Sequence, residues 1–145
     1  MQLSLHSDYA LRVLMALAAG NRQLSVDEIA RRYAISRNHL AKVAQRLQAE
    51  GYIETFRGRG GGMRLARPPA EIVVGDVVRR FENFDSFVGC FPGGSGCAVN
   101  GQCSLKPALS GALEAFLAHL DGFTLETIIP DPAAFARRLE TVASA

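Results

Sequence analysis

Cys90, Cys97 and Cys103 are the only cysteines of this 145-residue chain, and they fall in one stretch with the spacing C-x6-C-x5-C. An odd number of thiols cannot close into a complete disulfide set within one chain. Sulfurs this near in sequence can meet at one point with little loop-closure cost. Their thiolates are soft ligands, suited to zinc or to an iron–sulfur cluster. Gly93, Gly94, Gly96 and Gly101 lie between them, which would let the backbone curl around a metal centre and turn amide N–H groups toward sulfur. Three thiolates are one ligand short of a tetrahedral set, so a fourth must come from elsewhere.

A second set of chemically able residues is basic. Residues 1–67 carry eleven Lys/Arg against five Asp/Glu, a net of +6, whereas residues 68–145 carry five against nine, a net of −4. A basic front half suits a polyanion partner and an acidic back half would be repelled by one. Within the front half, Arg57, Arg59 and Arg64 are interleaved with glycine, and Ser36-Arg37-Asn38-His39 places four hydrogen-bonding side chains in a row. Gly58-Arg59-Gly60-Gly61-Gly62 is not a nucleotide-binding loop, because no Gly-Lys-Ser/Thr follows and no helix starts there.

The elements that must position these groups can be read from periodicity. A first helix is expected from Ser7, as its cap, to Ala19, stopped by Gly20 and Asn21. Ser25-Val26-Asp27-Glu28 is a capping box opening a short helix that ends near Tyr33. Ser36 then caps a third helix to about Glu50, with Leu40, Val43 and Leu47 facing the core and Gly51 as its stop. Tyr52–Phe56 reads as a strand, the Arg57–Gly62 segment as a turn and Met63–Leu65 as the returning strand. Val73–Phe84 carries an amphipathic helix, followed by the cysteine loop. A long helix runs from Ser104 or Leu105 to about Asp121, with Pro107 tolerated in its first turn. Its apolar positions Leu109, Ala112, Leu113, Phe116, Leu117 and Leu120 suit pairing with a second copy or packing on the chain's own body. Asp131-Pro132 caps a final short helix ending around Val142.

The fold class expected is mainly α with a small β-hairpin wing: a winged helix-turn-helix plus a long dimerisation helix. Two regions follow, residues 1–67 for DNA binding and residues 68–145 for the cysteine loop and dimerisation helix. In a winged helix-turn-helix the third helix enters the DNA major groove. Ser36, Arg37, Asn38 and His39 would then face base edges, with Arg reading guanine and Asn reading adenine. Lys42 and Arg46 are spaced for phosphate contact, and Arg57, Arg59 and Arg64 for phosphate or a narrow minor groove. With 48% hydrophobic residues the chain can build a core without disulfide staples. No leader pattern opens it and no apolar run is long enough for a bilayer, so it is expected in the cytoplasm, where thiols stay reduced and available to metal. No catalytic constellation is present, and an enzyme is not expected.

Both halves together resemble the iron–sulfur winged-helix transcription regulators, a family with NsrR-like nitric-oxide sensors, RirA-like iron regulators and IscR-like iron–sulfur assembly regulators. The resemblance spans residues 1–129. It rests on Asp8-Tyr9-Ala10-Leu11-Arg12, Ser36-Arg37-Asn38-His39-Leu40, the wing Arg57–Leu65, Gly75-Asp76-Val77-Val78 and the cysteine trio followed by Leu105-Lys106. It implies a homodimer on a palindromic double-stranded operator, with a cluster ligated by Cys90, Cys97 and Cys103. IscR-like members have a histidine ligand where this chain has Lys106. NsrR-like members complete a 4Fe–4S site with an aspartate from the other subunit, and that position matches Asp8; His6 is a second candidate. A 4Fe–4S cluster is thereby favoured over 2Fe–2S, and the resemblance is nearest to the nitric-oxide-sensing repressors. It implies that the cluster-loaded dimer blocks transcription and that nitric oxide releases it. Iron or cluster-status sensing is the alternative within the family. Outside it stand a zinc-stapled regulator and an electron-transfer protein, the latter having no use for the arginine wing.

Overall fold

The computed structural model describes residues 2–20, 22–90, 97–99 and 101–143. The stop expected at Asn21 and the glycine turn expected at 91–96 lie outside them. The order is α1 (Leu5–Ala19), α2 (Val26–Tyr33), α3 (Arg37–Ala49), β1 (Ile53–Phe56), β2 (Gly62–Leu65), α4 (Val74–Phe81), α5 (Leu105–Asp121), α6 (Leu125–Ile128) and α7 (Pro132–Ala143). Mainly α with one antiparallel hairpin, this is the expected winged helix-turn-helix with a long helix after it.

Helix α1 is capped three residues earlier than expected. Ser4, not Ser7, is its cap, and the Ser4 Oγ accepts the Ser7 N–H at 3.2 Å. Nothing in Leu5 or His6 breaks a helix, so the earlier of two serines three residues apart wins. At α2 the capping box is present as read: Glu28 N–H donates to Ser25 Oγ at 3.1 Å, and Ser25 N–H donates to Glu28 Oε2 at 2.9 Å. The Arg22 guanidinium, with those Ser25 contacts, outweighs partial burial and holds the Glu28 carboxyl down at about 2. Ser36 precedes α3 without a side-chain capping bond.

Ile53, Glu54, Thr55 and Phe56 pair with Leu65, Arg64, Met63 and Gly62. The hairpin is fastened to the body by Leu24 and Met63, which exchange N–H···O=C bonds of 3.1 and 2.8 Å. At its tip Gly58 and Gly60 take positive φ of 94° and 75°, and a Cβ on Gly61 would lie 2.4 Å from the Phe56 carbonyl oxygen. Glycine takes these positions without strain, which any other side chain would add.

One core runs across residue 67. Ala10, Val13, Leu14 and Leu17 of α1 pack with Ile29, Leu40, Val43 and Leu47, and Val77, Phe81, Leu125 and Leu139 of the later helices join the same cluster. Helix α4 ends at Phe81 rather than Phe84, because Glu82 turns extended, at φ −95° and ψ 154°, and its side chain reaches back to Ser4. Helix α6 was not foreseen; Thr124 and Thr127 cap it reciprocally. On α5 Leu113 is the buried residue; Leu109, Phe116, Leu117 and Leu120 are half-buried, Ala112 and Leu105 exposed. Among the described residues no helix is long and apolar enough to cross a membrane.

Candidate nucleic-acid interface and metal centre

The first turn of α3 lies open to solvent: Ser36, Arg37, Asn38 and His39 are all exposed, as is Lys42 one turn on. This follows from the spacing of Leu40, Val43 and Leu47, whose buried faces fix the helix on α1 and α2 and turn the intervening polar positions outward. Arg37 Nε donates to Asp27 Oδ1 at 2.5 Å, with both side chains exposed.

Arg46 is engaged with the body of the protein. Its guanidinium stacks 4.6 Å from the Phe81 ring centroid and donates to the Arg80 carbonyl oxygen. Arg80 in turn pairs with Glu50 at 2.6 Å. Together these contacts clasp the C-terminal end of α3 to α4. A phosphate contact from Arg46 would use the nitrogens that this clasp leaves.

On the wing, Arg57 and Arg59 are exposed, and among the described residues neither has an ion-pair partner. Arg64 is more constrained. It pairs with Glu54, its partner in the strand register, at 2.9 Å and stacks on Phe56 at 4.6 Å. Exposed basic side chains on a glycine tip and an open helix start are what backbone and base-edge contacts to DNA require.

Cys90 is half-buried, Cys97 and Cys103 are exposed, and all three are free thiols. Leu105 N–H donates to Cys103 Sγ at 3.4 Å, so the start of α5 turns an amide toward sulfur. Among the described residues no three His, Cys, Asp or Glu side chains form a metal-holding group. The donor chemistry is nonetheless that of a thiolate site: three reduced sulfurs, one already receiving an N–H.

Asp8 lies in the first turn of α1, where its carboxylate accepts the Arg12 Nε–H at 3.1 and 3.0 Å. Arg12 also lies 5.5 Å from the Tyr33 ring centroid, and burial pushes the Tyr33 hydroxyl up to about 12 despite the nearby Arg12 and Arg32 charges. His6 is exposed. Sequence reading missed Asp27, Glu54 and Glu50, the carboxylates that pair with Arg37, Arg64 and Arg80. Only the Glu54–Arg64 pair had a local signal, the hairpin register.

A family model described as an iron-dependent transcriptional regulator, Rrf2, matches residues 3–131. Among curated proteins, the chain is 46% identical over 143 residues to the HTH-type transcriptional regulator NsrR of Geobacillus kaustophilus, covering 97% of each. It is 46% identical over 132 residues to the regulator of the same name from Bacillus subtilis, covering 89% of this chain and 90% of that one. Among solved structures it is similar to T. potens IscR, with a TM-score of 0.72 at 25% identity over 90% of this chain and 88% of that one. The global cysteine regulator CymR of B. subtilis gives a TM-score of 0.69 at 25% identity over 88% and 95%. With an open start to α3, an arginine-bearing wing and these relatives, the chain belongs to the Rrf2 family of DNA-binding transcriptional regulators and is not an enzyme.

Proposed function

We propose that the chain is a homodimeric transcriptional repressor of the cytoplasm that binds a palindromic operator and senses nitric oxide through an iron–sulfur cluster held by Cys90, Cys97 and Cys103. What carries this reading is the presence, in one chain 46% identical to a regulator named NsrR, of three free thiols and an exposed basic reading head. Residues 1–67 form the DNA-binding region and residues 68–145 the cluster and dimerisation region.

Ser36, Arg37, Asn38 and His39 enter the major groove, Arg37 toward guanine and Asn38 toward adenine. Lys42 and the free donors of Arg46 hold phosphate, and Arg57, Arg59 and Arg64 bring the wing to the backbone or the minor groove. The half-buried apolar side chains of α5 pair with the same helix of a second copy, which sets the two α3 helices one operator half-site apart. Operator affinity depends on both half-sites engaging at once, so a small change in the relative pose of the subunits weakens it strongly.

Asp8 of the partner subunit supplies the fourth ligand, through carboxylate lone pairs that Arg12 leaves. A 4Fe–4S cluster fits this set better than 2Fe–2S, since Lys106 cannot serve as the histidine of IscR-like members does. A bound cluster would supply iron able to take up a small radical ligand, and Asp8 of the partner subunit, a carboxylate harder and weaker for iron than thiolate, would hold the most labile position.

A second reading keeps the operator and the thiols but makes iron availability the signal; the family description as iron-dependent favours it. The deciding experiment is the visible spectrum of anaerobically purified protein beside an operator titration, before and after stoichiometric nitric oxide. Bleaching together with release from the operator supports nitric-oxide sensing. Release on iron depletion, with none on nitric oxide, favours the second reading.

A further inference from the structure

Asp27 is an acid on a basic face. It lies in the first turn of α2, and its Oδ1 sits 2.5 Å from Arg37 Nε in the first turn of α3. The side chains are 62% and 64% exposed. An ion pair this open adds little to stability. Nor does Asp27 serve as the cap of its own helix, since Ser25 and Glu28 form the capping box. A carboxylate beside the reading helix also repels phosphate, so on affinity alone it is a handicap.

The pair does, however, set orientation. A guanidinium reads guanine by presenting two coplanar N–H donors to O6 and N7. Asp27 accepts from Nε–H, which leaves the two terminal nitrogens as the opposite edge of the same plane. Without that contact, an arginine at an exposed helix start must give up rotamer freedom when it meets the base. With it, part of that ordering is present before DNA arrives.

We propose that Asp27 is a specificity-determining positioning residue, which holds the Arg37 guanidinium edge-on for one guanine of each half-site. The inference rests on the reading of α3 as the major-groove helix. Asp27 exchanges some general affinity for discrimination at one base pair.

The test uses the full-length, anaerobically purified protein and a palindromic duplex selected from a random pool, with each half-site base pair then changed in turn. Wild type, Asp27→Ala, Arg37→Ala and the double variant are titrated against every duplex. Asp27→Ala is expected to lose about twofold to fivefold of discrimination, at the same base pair where Arg37→Ala loses more. It should bind non-specific DNA as well as or better than wild type, which a damaged fold would not do. The double variant should discriminate at that pair no worse than Arg37→Ala alone. If Asp27→Ala keeps full discrimination while Arg37→Ala loses it, or if it weakens all duplexes equally, the positioning role is overturned and the DNA reading stands. If wild type selects no sequence at all, the DNA reading falls together with the positioning role.

Discussion

The backbone N–H of Ser4 donates to Glu82 Oε1 at 2.7 Å, so the cap of α1 is hydrogen-bonded to the residue that ends α4. The two are 78 residues apart, and the contact holds the helix that carries Asp8 to the segment that leads into the cysteines. Burial would push the Glu82 carboxyl up; the Ser7 hydroxyl and the Ser4 N–H and hydroxyl outweigh it and hold the group below its ordinary value of 4.5. A depressed carboxyl contributes stability above the unfolded-state pKa and loses it as pH falls through the folded one. Glu82→Ala should therefore cost about 1 kcal/mol at pH 7, and the gap to wild type should narrow as pH falls below 4.5. Urea unfolding of both proteins across that range checks it; a gap independent of pH would contradict the linkage.

Gly75 is where α4 meets the end of α5. A Cβ there would lie 2.0 Å from Asp121 Oδ1 and 3.0 Å from the Asp121 backbone nitrogen. Moving the Asp121 side chain aside would break its pair with Arg79, whose nitrogens donate to both its oxygens at 2.5 and 2.7 Å. Alanine gains about 0.5–1 kcal/mol over glycine in a helix interior and less in the first turn, where Gly75 sits, whereas forced overpacking costs about 1–3 kcal/mol. Gly75→Ala is expected to be net destabilising by about 1 kcal/mol. Adding Asp121→Ala should recover part of that loss in chemical unfolding.

Wing and recognition helix should fail differently. Arg59→Ala should weaken binding to every sequence and lower the salt-dependence slope by about one. Asn38→Ala should instead relax preference at one base pair by about 1–3 kcal/mol. Fluorescence anisotropy titrations at several salt concentrations separate the two, and equal losses on all duplexes for Asn38→Ala would remove it from the base edges.

Asp8 carries a bet of its own. As a cluster ligand, its replacement by alanine leaves three thiolates, so the protein still colours but its visible circular dichroism shifts and its operator affinity falls. As an acid serving only the helix start and Arg12, the same change costs about 0.3–1 kcal/mol of stability and leaves the spectrum untouched. An unchanged anaerobic spectrum with unchanged affinity would return His6 to candidacy.

Local signals made much of this legible in the sequence. Ser25 and Glu28 announced the start of α2, Leu40, Val43 and Leu47 the buried face of α3, and the glycines the wing tip; each is a rule acting within one or two turns. What stayed hidden joins distant residues. Arg46 on Phe81 and Arg79 on Asp121 link positions that no periodicity relates. The end of α4 is hidden for the same reason: Glu82 leaves the helix, and its carboxylate accepts from the Ser4 N–H. At the thiol loop the residue types spoke for a metal, but spacing alone does not name the fourth ligand, which the proposal takes from a second chain.

The central claim is that thiolates at Cys90, Cys97 and Cys103 control operator binding. Its most direct test compares anaerobically purified wild type with Cys97→Ala, an exposed site whose loss should leave the fold intact. Absorbance and anisotropy on a selected palindromic duplex are read on the same samples. The account predicts a coloured wild type with tight, sequence-specific binding, and a bleached variant with normal far-ultraviolet circular dichroism and only weak, salt-sensitive binding. A Cys97→Ala protein with the wild-type spectrum and wild-type operator affinity would contradict it.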